Sequence, residues 1–193
     1  MNIFIPGTTI KYTPQAREEA FTVAVEPVID VTGGLTLSQL SKLTGLEGST
    51  IQNWIKRGWV SPTRSKKYST QQVLRILIIN MLRGAMKLDD IAELMRCING
   101  DVEDTSDDIV NETAFYNMLC EIIFNAEEQQ RFDEKTLYEL IDRELSEHRS
   151  AVISNAEKLR EAMYIMTIAY GSSRLKNTME SKLRYMLERE KGE

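Results

Sequence analysis

Between Gly100 and Gly171 the chain contains neither proline nor glycine. The two residues that most readily interrupt a helix are missing there, so this half of the chain is expected to form long helices rather than sheet. The apolar residues agree. Phe115, Met118, Leu119, Ile122 and Ile123 recur at helical spacing and mark one amphipathic helix; Leu137, Leu140, Ile141 and Leu145 mark a second. The second is expected to run on through Ala156, Leu159 and Ala162 to Tyr170, where AMYIMTIAY is apolar on nearly every side and must be covered. Gly171 with Ser172 and Ser173 is expected to break and recap the chain before a last helix carrying Leu175, Met179, Leu183, Met186 and Leu187. The acidic stretch 101–108 reads as a linker.

Residues 37–98 read as a compact helical unit. Ser38 is expected to cap a first helix with Leu40 and Leu43 inward, and Gly45 stands where a left-handed turn would close it. A second helix is expected from Gly48 to Arg57, stopped by Gly58. The Gly45–Gly48 spacing matches the turn of a DNA-binding helix-turn-helix. On the second helix Ile51 and Ile55 fall inward with Trp54 flanking them, while Ser49, Gln52, Asn53 and Lys56 fall outward. Gln and Asn can pair with adenine in the major groove, and Lys56 and Arg57 can reach phosphates. After Trp59, Val60 and Pro62, a short loop carries Arg64, Lys66 and Lys67 before Tyr68. Ser69 or Thr70 can cap a third helix, apolar from Val73 to Leu82. A fourth opens near Asp89 and Asp90 and buries Ile91, Leu94, Met95 and Ile98.

Charge separates this unit from the rest. The chain carries −5 overall, yet residues 35–88 hold nine Lys or Arg against the single acid Glu47, a net of +8, so the remainder carries −13. A basic unit joined to an acidic one is the asymmetry expected when one face meets DNA. The start, MNIFIPGTTIKYT, has no basic stretch followed by a long apolar run, and no apolar run reaches the roughly 20 residues of a membrane span. With two cysteines, Cys97 and Cys120, in helical patterns, a cytoplasmic location with reduced thiols is expected. In residues 1–34, Thr13–Pro14 reads as a helix start, and Ala20, Phe21, Val23 and Ala24 as a short helix ended by Pro27.

The order of elements resembles the MerR-type winged helix: helix-turn-helix, glycine with two apolar residues, proline, basic wing with a tyrosine, and two packing helices. The resemblance runs through Leu37, Ser38, Leu40, Leu43, Thr44, Gly45, Thr50, Ile51, Trp54, Gly58, Pro62, Tyr68, Thr70, Arg75, Leu82, Arg83, Leu88 and Ile91, about a third of the chain. It implies DNA-contact roles for Thr50 and Tyr68, with Lys67 standing where the family often has arginine. Gln52 and Asn53 replace its usual arginine–tyrosine pair. The same stretch, with ING at 98–100 and DDIVNETAFYNML at 107–119, is also similar to an uncharacterised bacterial family, domain of unknown function 1836.

Other chemistry finds little support. There is no phosphate-binding or dinucleotide glycine motif, and the adjacent acids Asp89–Asp90, Asp107–Asp108 and Glu127–Glu128 diverge on a helix, so no enzyme and no cofactor are expected. Glu144, Glu147 and the only histidine, His148, share one side of a helix, but no paired motif accompanies them and no metal site is expected. Met163, Met166 and Tyr170 read as core packing, with a ligand pocket as the other reading. The sequence thus predicts an all-α protein: a leader (1–34), a MerR-like winged helix-turn-helix (35–100) and a helical C-terminal region (101–193) that either forms a homodimer or closes a monomer core. The expected activity is transcription regulation by binding double-stranded DNA through Ser49, Thr50, Gln52, Asn53, Lys56, Arg57, Arg64, Lys66, Lys67 and Tyr68. A protein–protein interaction module with a winged helix that does not bind DNA is the alternative. The identity of any effector is not legible.

Overall fold

A helix buried on most sides has to be surrounded, and residues 70–82 form such a helix. The computed structural model describes residues 4–12, 20–63, 65–100 and 108–191. In chain order its elements are α1 (Ala20–Ala24), α2 (Glu26–Thr32), β1 (Leu35–Thr36), α3 (Leu37–Thr44), α4 (Gly48–Lys56), β2 (Lys67–Tyr68), α5 (Thr70–Leu82), α6 (Leu88–Asn99), α7 (Glu112–Gln129), α8 (Glu134–Glu147) and α9 (Ala156–Lys191), with a 3-10 turn at Arg149–Ala151. The protein is mostly helical, as expected. β1 and β2 pair antiparallel, Leu35 opposite Tyr68 and Thr36 opposite Lys67. α5 lies at the centre, buried at every position from Gln72 to Ile79 and packed by α3, β2, α6, α7 and α9. One apolar core runs from Ile5 and Phe21 through Ile51, Leu77 and Ile98 to Tyr116, Ile141 and Met166.

Several expected boundaries move, each for a local reason. Thr36, not Ser38, caps α3: its hydroxyl accepts from the Gln39 amide while the Gln39 side chain accepts from the Thr36 amide. Ser69 caps α5 with Gln72 in the same reciprocal way. Pro27 does not end a helix; it occupies the first turn of α2, where the amide it lacks would go unbonded anyway. Trp54 is fully buried and Ile55 only partly, the reverse of the expected ranking. The Thr13–Pro14 helix start, Arg64 and most of the 101–108 linker lie outside the described residues.

The C-terminal half departs most. α8 does not continue to Tyr170: it stops at Glu147, and backbone bonds from Asn111 N to the Ala151 carbonyl and from Ile153 N to the Ile109 carbonyl replace helical ones. Asn155, at φ 40°, then caps α9 by accepting from the Lys158 amide. Conversely, Gly171 breaks nothing, since α9 passes through it unbroken for 36 residues. Its missing side chain makes room for the Phe132 ring, whose Cδ1 would lie 2.7 Å from a Cβ there. Beyond Gly171 the helix leaves the core. Leu175, Met179, Leu183, Met186 and Leu187 stay exposed along one stripe of it.

Candidate nucleic-acid interface

The outward face of α4 is built from behind. Ile51 and Trp54, both buried to within 1%, fix the helix to the core, and that rotation turns the intervening side chains to solvent. Ser49, Gln52, Asn53, Lys56 and Arg57 are all exposed, Thr50 is half-buried, and no acid occurs between Gly48 and Gly58. The turn before α4 is set by Gly45, at φ 71°, which closes α3. Glu47 precedes α4 without a side-chain cap, and its carbonyl accepts from the Thr50 and Ile51 amides.

The N-terminal turn buttresses this pair. Thr9 donates its amide to the Leu43 carbonyl and its hydroxyl to that of Lys42, engaging carbonyls that the end of α3 would otherwise leave unbonded. Asn80 of α5 donates to the carbonyls of both Gly7 and Thr44, each at 2.9 Å. The exit of α4 is held just as firmly. Arg75 Nε donates to the Trp59 carbonyl at 2.7 Å, Gln72 Nε2 donates to those of Ser61 and Pro62, and the Arg57 guanidinium lies 5.3 Å from the centre of the Trp59 ring. Neither Gln72 nor Arg75 stood among the expected site residues. Their signal was there, as two long polar side chains in an apolar run, where burial demands hydrogen-bond partners.

The loop after α4 differs from the expected wing. Lys66 is exposed, at φ 60°. Lys67 is exposed too, but its ammonium donates to the Thr32 carbonyl at the end of α2, which ties the loop to the leader. Tyr68, expected to contact DNA, is instead 96% buried, its hydroxyl pKa raised by that burial. As the partner of Leu35 in the β pair, it points into the core and supports the surface without forming part of it.

Two other groups lie away from this face. Met163 and Met166 are fully buried core residues, whereas Tyr170 edges a cleft with Asn80, Ser173 and Arg174, its hydroxyl pushed up to about 12 by burial. The Arg174 guanidinium is 3.0 Å from the buried Glu127 carboxylate. Glu144, Glu147 and His148 do meet, with candidate ligand atoms all within 4.8 Å, and among the described residues they are the set that could hold a metal ion. His148 Nδ1 stands 3.1 Å from the Glu144 carbonyl oxygen, closing the end of α8. Burial raises the Glu144 pKa, as does Glu121, against the pull of Arg143 and His148. Cys97 is exposed, Cys120 is buried, and both are free thiols. No helix among the described residues is long and apolar enough to cross a membrane.

What these features define is a mostly helical protein with a polar, acid-free helix face stapled to its core. Residues 23–119 match the family model described as Domain of unknown function (DUF1836), and the chain belongs to that family. It is similar to the uncharacterized protein YkrK of Bacillus subtilis (strain 168), 24% identical over 176 residues, which cover 86% of this chain and 72% of that protein. No solved structure matches.

Proposed function

We propose that this protein is a DNA-binding transcription regulator whose residues 35–100 act as a MerR-like winged helix-turn-helix, with α4 as the helix that enters the major groove. One observation carries the reading: Gln52, Asn53, Lys56 and Arg57 are exposed on a helix anchored by Ile51 and Trp54, and no acidic segment among the described residues covers them. Gln52 and Asn53 supply the paired donor and acceptor that adenine needs, and Lys56, Arg57 and Lys66 supply charge for phosphates. Lys67 is discounted because its ammonium already serves Thr32.

The apolar stripe of α9 favours a second copy of the chain as its occupant. Residues 172–191 extend roughly 30 Å as a helix, and their apolar positions span the width of stripe that a helix buries against a partner. A dimer would set two recognition helices at a fixed spacing along one side of the duplex. The same stripe favours the second reading, an interaction module that binds a different protein.

Selection of duplexes from a random pool by the purified chain, at two salt concentrations, tests the proposal. Gln52→Ala is expected to relax preference at one base position, by about 1–3 kcal/mol. Lys56→Ala should weaken all sequences alike and reduce the salt slope by about one. Recovery of no sequence, or binding indifferent to salt, would leave the interaction module standing.

A further inference from the structure

The inward stripe of α9 changes chemistry at Tyr170. In the first turns Leu159, Met163 and Met166 fill it, all fully buried, and the same spacing of three and four residues continues through Tyr170, Ser173, Arg174 and Asn177. A stripe that went on packing into a core would stay apolar. Here it borders a cleft of about 230 Å3, closed elsewhere by the turn at residues 4–8 and by Asn80 and Met81 of α5. That turn is the one Asn80 ties to the end of α3, through the Gly7 and Thr44 carbonyls.

Among the described residues the cleft is lined by one cation, Arg174, and by no acid. Glu127 stands behind it: its carboxylate is 3.0 Å from Arg174 Nη2, its side chain is only 3% exposed, and it does not reach the cleft wall. The pair is therefore a dipole with its positive end at the cleft, and Glu127 fixes where the guanidinium lies. A guanidinium carries more N–H donors than Glu127 and Tyr170, its other hydrogen-bond partner, can use. Tyr170, Ser173 and Asn177 bring further donors to the same face.

We propose that this cleft binds a small organic monocarboxylate, its carboxylate on Arg174, Ser173 and Asn177 and a short apolar body against Phe4, Pro6 and Met81. A planar carboxylate matches the fork of a guanidinium. A dianion such as phosphate fits less well: Glu127 already balances Arg174, so the second negative charge would stand uncompensated in a partly enclosed space. An amine would meet the positive end of the pair. The cleft is smaller than the roughly 300–1,000 Å3 of sites for drug-sized ligands, which limits the occupant to a small molecule. It shares no residue with the outward face of α4, so the inference does not rest on DNA being the ligand of that face.

The test is NMR of the full chain, labelled at methionine methyls and backbone amides and titrated with benzoate, benzamide and inorganic phosphate at one pH and ionic strength. Benzoate is expected to shift the Met81 methyl and the Thr8 amide saturably, with a midpoint of about 1 mM or below. Benzamide, the same shape without the charge, should bind about tenfold more weakly, and phosphate more weakly than benzoate. Arg174→Lys keeps a cation beside Glu127 but loses the fork, and should weaken benzoate about tenfold. Asn177→Trp, at an exposed position on the rim, should obstruct the cleft and abolish the shifts. A Met81 methyl unmoved by benzoate up to about 20 mM overturns the site. So do benzoate shifts that survive both substitutions unchanged. Benzamide or phosphate binding as tightly as benzoate overturns the ligand class. Should either variant fail to fold, the three titrations of the wild-type chain still decide the matter.

Discussion

Replacing Gly171 with alanine distinguishes a helix interruption from a packing slot. In an unbroken helix, glycine to alanine gains about 1 kcal/mol of propensity. Here the new Cβ would fall 2.7 Å from Phe132 Cδ1 and 3.1 Å from Cε1 and Cγ of the same ring. Carbon atoms pack best at about 3.5–4.0 Å, and forcing a methyl into an occupied site costs about 1–3 kcal/mol. Phe132 cannot yield as a flexible chain end would, because the near atoms belong to the ring itself. Gly171→Ala is thus expected to be neutral to destabilising, by up to about 2 kcal/mol. In a Phe132→Ala background the clash is gone and the same change should stabilise by about 1 kcal/mol. Urea unfolding of the four proteins at one chain concentration gives the coupling between the sites, expected at about 1–3 kcal/mol. Coupling below about 0.5 kcal/mol, or Gly171→Ala stabilising in both backgrounds, would refute the slot.

Two further substitutions test other parts of the structure. Leu183→Glu places a charge in the middle of the exposed stripe of α9 and should convert a dimer to monomer in sedimentation, with helix content unchanged; a wild-type chain already monomeric at high concentration would sink the dimer. Gly7 has φ 77°, and a Cβ there would lie 2.2 Å from the Leu77 carbonyl oxygen, a backbone atom that cannot swing aside. Gly7→Ala should therefore lower stability by about 2–4 kcal/mol in thermal unfolding, and an unchanged midpoint would show that the N-terminal turn is not seated on α5.

How much of this was legible in the sequence depended on whether the deciding interactions were local. Helix type, the Gly45 closure and the Ser69 cap follow from residues a few positions apart, and periodicity placed Val73 to Leu82 inside. The failures share a different cause. The stop after Glu147 is made by backbone bonds to Ile109 and Asn111, about 40 residues away, and has no proline or glycine to announce it. Gly171 announces a stop that Phe132, similarly far away in sequence, turns into a contact. At the candidate interface the outward residues of α4 were readable from the 3.6-residue period. The inward turn of Tyr68 was not, because it depends on pairing with Leu35 across 33 residues.

The buried polar residues of α5 bear on how the basic unit can be regulated. Were residues 35–100 self-sufficient, α5 would need covering only by α3, α4 and α6. Instead α7 and α9 pack against it as well, and the apolar core is continuous across the expected boundary near residue 100. Three side chains of α5 then reach the α3–α4 pair: Gln72 and Arg75 hold the exit of α4, and Asn80 holds the end of α3. A displacement of α5 against α7 or α9 would thus act on the carbonyls of Thr44, Trp59 and Ser61 through hydrogen bonds, without any contact between the C-terminal helices and α4. Because packed interiors resist gradual deformation, such a displacement would be transmitted as a change of seating. Excising residues 35–100 would bare the apolar flank of α5 and should yield an unstable fragment; a fragment that folded with native stability would show that α5 does not link the two halves.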